Sequence, residues 1–148
     1  MGNNCVKKQP EPNQIIYNSI EDIAANEKGL GYVIKLRPDG TKEIEAEFVD
    51  GVQNGKLKKY YPSGRVACEG IGKNMKLNGF ASGWDEQGNL GFAGYCVDNV
   101  PHGEFKLNKI DGMYSGTMRN GFWDKFVVHD KNGNKTIEYR FRHLKIGL

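Results

Sequence analysis

The sequence predicts an all-β fold: an elongated single-layer antiparallel sheet of stacked β-hairpin repeats, with a short N-terminal helix covering one edge. Three observations predict it. Glycine recurs at a fixed interval, turn-forming residues precede one glycine of each unit, and apolar–polar alternation follows it. Stepping by 24 residues, Gly31 leads to Gly55, Gly79 and Gly103, and Gly40 leads to Gly64, Gly88 and Gly112. Later the interval shortens: Gly103 leads to Lys125 in 22 residues, and Gly112 to Gly133 in 21. A third column runs Gly70, Gly94 and Gly116, with Ala46 one period earlier. A period of about 20–50 residues is the signature of a repeat array.

Composition agrees. The 148 residues allow one domain or one short array. Only 38% are hydrophobic and 20 are glycine, about twice the usual glycine share of roughly 7%. A thin, turn-rich sheet suits that balance better than a two-layer core. A net charge of +3 gives no strong field for nucleic acid. No apolar run reaches the roughly 20 residues of a membrane helix, and the first residues lack a secretory apolar stretch. Three cysteines without CxxC spacing read as thiols of a reducing compartment, with Cys68 and Cys96 as small buried hydrophobes.

Taken in order, residues 1–13 form a flexible tail ending in the polar spacer Gln9-Pro10-Glu11-Pro12-Asn13. Residues 14–29 form the cap. Ser19 can N-cap a helix over Ser19–Asn26, Asp22 stands at its N3 position and Gly29 ends it. Ile15, Ile16, Ile20 and Ile23 would dock this cap on an edge otherwise open to pairing. Residues 30–148 hold about five repeats. In these, Pro38-Asp39, Pro62-Ser63, Glu86-Gln87, Ile110-Asp111 and Lys131-Asn132 precede a turn glycine. After the turn, Ile44, Ala46 and Phe48 alternate with glutamates, and Ile137, Tyr139 and Phe141 repeat the pattern. Cys68-Gly70-Gly72 and Phe92-Gly94-Cys96 take the same phase, so strands with one apolar face are expected. Before the turn, Val33, Leu57, Ala81, Phe105 and Val127 share one column. Leu36, Tyr60 and Trp84 share another, broken by Asn108 and Asp130, with a β-bulge between the columns. Gly70, Gly72, Gly94 and Gly116 within strands would make room for large aromatics from adjoining strands.

The stretch NGKLKKYYPSGRVACEG, Asn54 to Gly70, resembles the MORN (membrane occupation and recognition nexus) repeat. The resemblance spans residues 29–148 and is strongest at Gly55–Gly70. In the unit starting at Lys125 that lysine replaces the leading glycine, and Asn108 replaces the aromatic of the unit before it. The resemblance implies stacked hairpins in a single-layer sheet. It also implies a scaffold, dimerisation module or targeting segment working near membranes, and hence an adaptor and not an enzyme.

The expected partner-binding face is a band of aromatics, Tyr60, Trp84, Phe92, Tyr95, Tyr114, Trp123 and Tyr139 with Phe122, that would receive a helix or peptide of a protein partner. A second copy of the chain is the other protein partner considered. Lys56, Lys58, Lys59 and Arg65, with Lys7 and Lys8 of the tail, read as a solvated basic face or as a contact for anionic lipid. The start, Met-Gly-Asn-Asn-Cys-Val-Lys-Lys, resembles an N-myristoylation sequence, with Gly2 as the myristoyl site and Cys5 as a palmitoyl site. One acyl chain holds only marginally, so a second chain or a basic patch is needed. The expected location is therefore the cytoplasmic face of a membrane. Gly2→Ala is expected to move the protein to the soluble fraction and Cys5→Ser to loosen it; unchanged fractionation of Gly2→Ala rejects the anchor.

No reaction centre is expected. His102, His129 and His143 fall at different repeat positions and lack metal-site spacing. Gly51 to Lys56 has one residue too few for a phosphate loop, and Asp85 and Glu86 sit in a turn. No cofactor, metal or nucleic acid is expected. The alternatives are a peripheral module that reads anionic phospholipid headgroups directly, and a soluble bacterial repeat protein of the same kind.

Overall fold

A computed structural model describes residues 14–17 and 31–141. Its strands are β1 (Gln14–Tyr17), β2 (Gly31–Leu36), β3 (Lys42–Val49), β4 (Val52–Tyr60), β5 (Val66–Lys73), β6 (Lys76–Trp84), β7 (Leu90–Val97), β8 (Val100–Lys109), β9 (Gly112–Arg119), β10 (Phe122–His129) and β11 (Lys135–Arg140). They form one open sheet in chain order, β1 to β11. From β2 onward every pairing is antiparallel, and β1 alone runs parallel to its neighbour, Gln14 facing Tyr32 and Tyr17 facing Lys35. The first edge is therefore extended by a strand. The helix expected over Ser19–Asn26 lies outside the described residues.

Two kinds of turn alternate, one at each end of the strands. At one end, two-residue turns at Asp50-Gly51, Asn74-Met75, Asp98-Asn99 and Asn120-Gly121 have both central φ values between 49 and 83°. This is the type I′ geometry that matches strand twist. These turns tie neighbouring hairpins: Asn74 N–H donates to Gln53 O (2.9 Å), Asn99 N–H to Leu77 O (3.0 Å) and Gly121 N–H to Pro101 O (2.9 Å). At the other end, residues 37–41, 61–65, 85–89 and 130–134 form longer turns whose glycines, Gly40, Gly64, Gly88 and Gly133, have φ between 80 and 89°. Here too the units are cross-linked: Tyr61 O–H donates to Trp84 O (2.7 Å) and Arg65 Nη1 to Gln87 O (2.9 Å).

Aspartates brace three of these longer turns. Asp39 accepts from the Thr41 hydroxyl and amide, Asp85 from Gln87 and Asn89, and Asp130 from Asn132 and Asn134. The Thr41 hydroxyl, the Asn89 side-chain amide and the Asn134 backbone amide are the main causes that hold these carboxyls below the ordinary 3.8. A folded-state pKa below the unfolded one stabilises above the unfolded value and is lost as pH falls through the folded value. Thermal stability is therefore expected to decline once pH drops below about 4. A triple Asp39→Asn, Asp85→Asn, Asp130→Asn variant keeps an acceptor oxygen and should flatten that decline in a series of melts against pH; an equally steep decline contradicts the role given to these turns.

The bulges explain the timing of the repeat. In β4, β6 and β8, Gly55, Gly79 and Gly103 sit in the middle of a bulge with two extra residues, opposite Glu47, Ile71 and Tyr95. The register also shifts between Lys35 and Leu36, Lys59 and Tyr60, and Gly83 and Trp84, as expected from the spacing of the two columns. The fourth unit departs from the beat. Gly112 is not a turn glycine: β8 and β9 close through Ile110-Asp111 alone, with Lys109 facing Gly112. That hairpin is two residues shorter. The next bulge, at Asp124, carries one extra residue in place of two. A one-residue bulge changes which face each later side chain takes. Phe126, and not Val127, therefore joins the column of Phe105, pairing with Gly116 and Tyr139. For the same reason Lys125 does not occupy the place of the repeat's leading glycine.

One face of the sheet is apolar. Across it runs a single row of facing residues: Val33, Ala46, Leu57, Gly70, Ala81, Gly94, Phe105, Gly116, Phe126 and Tyr139. Leu57 is 1% exposed and packs with Val33, Ala46 and Phe48; Phe105 packs with Cys96 and Met118, and Leu77 touches both clusters. Of the strand glycines expected to lie under aromatics, Gly94 does, and Gly83 does as well; Gly70 lies against Ala81, Gly72 against Gln53 and Leu57, and Gly116 against the backbone of Lys125 and Phe126. A Cβ on Gly94 would come 2.4 Å from the Phe105 ring, and one on Gly83 would come 2.2 Å from the Phe92 ring. The one buried polar side chain among the described residues, Gln53, is satisfied: its Oε1 accepts from Met75 N–H (3.0 Å) and its Nε2 donates to Gly55 O (3.3 Å). Cys68 and Cys96 are free thiols, both pushed up in pKa by burial.

Candidate functional site: a groove on the second face

The opposite face carries the site. Strand alternation places two rows there. One reads Glu45, Lys58, Glu69, Ser82, Ala93, Lys106 and Ser115 along facing positions. The other contains Lys56 facing Ile71, Phe80 facing Tyr95, and then Glu104, Thr117, Lys125 and Arg140 in line. Between the protruding side chains lie two hollows. One, of about 540 Å³, spans Tyr32, Glu45, Lys58, Glu69, Ile71 and Phe80. The other, of about 510 Å³, spans Phe80, Ala93, Tyr95, Lys106, Thr117 and Lys125. They meet at Phe80, so the face has one groove running across the strands. Its floor is low because glycines and small side chains lie under it: Gly70, Gly94 and Gly116, with Ser82, Ala93 and Ser115.

Phe80 and Tyr95 stand in the middle of this groove. Their rings meet edge to face at 5.5 Å, yet each residue is 51% exposed. Ile71, beside them, is half-exposed as well. Contiguous apolar side chains held open in a groove are the usual mark of a partner surface.

Charge is distributed unevenly along the groove. Over β3–β5 the charges are paired on the protein itself: Lys42 with Glu45 at 2.5 Å and Lys58 with Glu69 at 3.4 Å. Over β8–β11 only part of the charge is paired: Arg119 with Asp124 at 3.1 Å and Lys135 with Glu138. Among the described residues Lys106 and Lys125 form no ion pair, and Arg140 closes that end, adding to the Lys135 hydrogen bond that chiefly holds the Glu138 carboxyl below its ordinary pKa. Tyr60 borders the other end, with Lys42 5.7 Å from its ring centre; burial, and then Glu45, push its phenol well above its ordinary pKa.

The residues expected to form one aromatic band divide between the faces. Phe92, Tyr114, Trp123 and Tyr139 belong to the apolar face, where Phe105 and Phe126 join them: Phe92 stacks on Phe105 at 5.8 Å, and Phe126 lies 5.5 to 5.7 Å from Tyr114, Trp123 and Tyr139. Tyr60, Trp84 and Tyr95 lie on the groove face. The cause is the period of two: these residues sit at odd and even distances from the column residues of their strands. The basic cluster divides too. Lys56 and Lys58 flank the groove, Lys59 faces the apolar side opposite Ile44 and Cys68, and Arg65 is engaged at a turn. Gly2, Cys5, Lys7, Lys8 and His143 lie outside the described residues. His102 Nδ1 accepts from Asn120 N–H at 3.3 Å, and among the described residues no three His, Cys, Asp or Glu side chains lie close enough to hold a metal ion. Phe80, Ile71, Lys106 and Lys125 were not among the site residues expected from the sequence, where Lys125 stood only in the place of a repeat glycine. Their signal was positional: Phe80 follows the bulge glycine Gly79, and Ile71 and Tyr95 are the residues facing successive bulges.

No protein-family model matches the chain, and no curated protein matches it in sequence. No helix among the described residues is long and apolar enough to cross a membrane.

Proposed function

We propose that the chain is a MORN-like repeat scaffold, a non-enzymatic adaptor that holds a protein partner in the groove of its second face. Support for the repeat reading comes from the coincidence of beat and structure: β4, β6 and β8 begin at residues 52, 76 and 100, and each bulge glycine recurs with them. The observation that carries the function is the groove itself. Among the described residues no second layer covers it, and Ile71, Phe80 and Tyr95 remain half-exposed within it. Membrane attachment through acyl chains on Gly2 and Cys5 belongs to this reading and rests on the tail sequence alone.

A photo-cross-linking side chain at Phe80 tests the proposal, with one at Ile110, 93% exposed at a turn, as the comparison. In cells of the source organism, discrete protein adducts are expected from position 80 and none from position 110. Equal, diffuse labelling from both positions would overturn it.

A further inference from the structure

We infer that the β6–β11 part of the groove docks an amphipathic helix of the partner, with an apolar segment at one end and acidic residues at the other. This rests on the scaffold reading and names the partner's chemistry. Along the groove the lining changes in order: Phe80 on β6, Tyr95 on β7, Lys106 on β8, Ser115 and Thr117 on β9, Lys125 on β10, and Arg140 on β11. The first two are half-exposed rings; the next four strands add two ammonium groups without an ion pair among the described residues, two hydroxyls and a guanidinium. Three described carboxylates stand on this side: Glu104, which lines the hollow, Asp124, held by Arg119 at 3.1 Å, and Glu138, paired with Lys135, so the cations of Lys106, Lys125 and Arg140 remain in excess. The surface is thus apolar at one end and cationic at the other. Complementarity asks for the reverse, an apolar anchor followed by carboxylates.

The backbone decides that the occupant is helical. β6 to β10 are central strands, paired on both sides. Away from the bulges at Gly79, Gly103 and Asp124 their backbone groups are spent on neighbouring strands, so an extended peptide lying across them would find few partners for its own backbone. A helix satisfies its backbone internally and presents only side chains. From β6 to β11 there are five inter-strand spacings, roughly 24 Å, a length covered by about 16 residues of helix. The charge asymmetry fixes the direction of the apolar and acidic segments along the sheet.

The test uses the full chain and a fluorescein-labelled synthetic helix of 18 residues, roughly the groove's span, with a leucine stripe in its first half and a glutamate stripe in its second. A twin peptide has lysine for every glutamate, and vesicles of phosphatidylcholine with phosphatidylserine provide a lipid arm. Anisotropy is expected to show binding of the glutamate peptide, weakened at least tenfold by K106E/K125E and by raised salt, and unchanged by K131E in a turn. Phe80→Ser should weaken the same peptide without altering its salt dependence. Circular dichroism checks that each variant keeps its sheet. Equal binding of the two peptides, indifference to K106E/K125E, or a reversal effect seen on vesicles and not on the glutamate peptide would each overturn the inference. If Phe80 cross-links to protein persist in K106E/K125E cells, the scaffold reading stands and the acidic helix falls.

Discussion

Gly116→Ala is expected to destabilise the protein by about 3 kcal/mol, a large effect for one methyl group. A Cβ at this position would lie 2.0 Å from Lys125 O and 2.7 Å from the Phe126 Cα. Both are backbone atoms of β10, so nothing can swing aside. Relief requires β9 and β10 to part, and with them the contact between Phe126 and its aromatic neighbours. Gly133→Ala provides the comparison. There a Cβ meets nothing within 4 Å, and the cost is that of a left-handed conformation at φ +80, on the order of 1–2 kcal/mol. Urea denaturation of the two variants should separate them clearly. Equal losses would mean that Gly116 is not packed under the facing strand, and the alternation of small and large residues along the apolar row would lose its meaning.

Phe105→Ala is expected to cost about 3–5 kcal/mol, and the loss should be local. Phe105 is buried against Cys96, Met118, Phe92 and Leu107. The other cluster, Val33, Ala46, Phe48 and Leu57, meets this one, among the described residues, only through Leu77. In an array where each unit touches only its neighbours, damage spreads by nearest-neighbour coupling and fades with distance. Hydrogen exchange should show lost protection in β7, β8 and β9, with β3 and β4 retaining theirs. Uniform loss across all strands would indicate a single cooperative core, which the two-cluster packing does not provide.

The parts of the fold legible in the sequence are those with a backbone reason. Gly40, Gly64, Gly88 and Gly133 were readable because a positive φ in a tight turn excludes most side chains. The strand glycines were readable because they recur in phase with apolar residues, but what they make room for was not: Gly94 lies under the Phe105 ring, whereas Gly70 meets Ala81, Gly72 meets Gln53 and Leu57, and Gly116 meets the backbone of β10. What escaped depends on bulge size. Two extra residues at Gly55, Gly79 and Gly103 leave the side-chain alternation in step, whereas one extra residue at Asp124 shifts it. No residue near Asp124 announces that difference, so Val127 stood where Phe126 belongs. The type I′ turns were only half-visible. Asp50-Gly51 and Asn120-Gly121 carry the usual signature, but Asn74-Met75 and Asp98-Asn99 place side chains at positive φ without glycine.

The candidate site was less legible, for a related reason. Sequence columns group residues by distance along the chain, and a column says nothing of face until its register is known. Tyr95 and Phe92, three residues apart, belong to opposite sides of the sheet. The groove depends on Phe80, Lys106 and Lys125, which come from three strands and share no column. Their proximity follows from strand order and register, and appears only when the hairpins are laid side by side.

The most direct test of the account is a distance across the sheet. Spin labels at Lys42 on β3 and Lys135 on β11, both beside the longer turns, stand eight strand spacings apart in a chain whose own cysteines are replaced. An open layer of hairpins stacked in chain order predicts a separation of about 38 Å. A separation of about 20 Å or less would place the two ends of the sheet together, as in a closed barrel or a folded-over sandwich, and would contradict it.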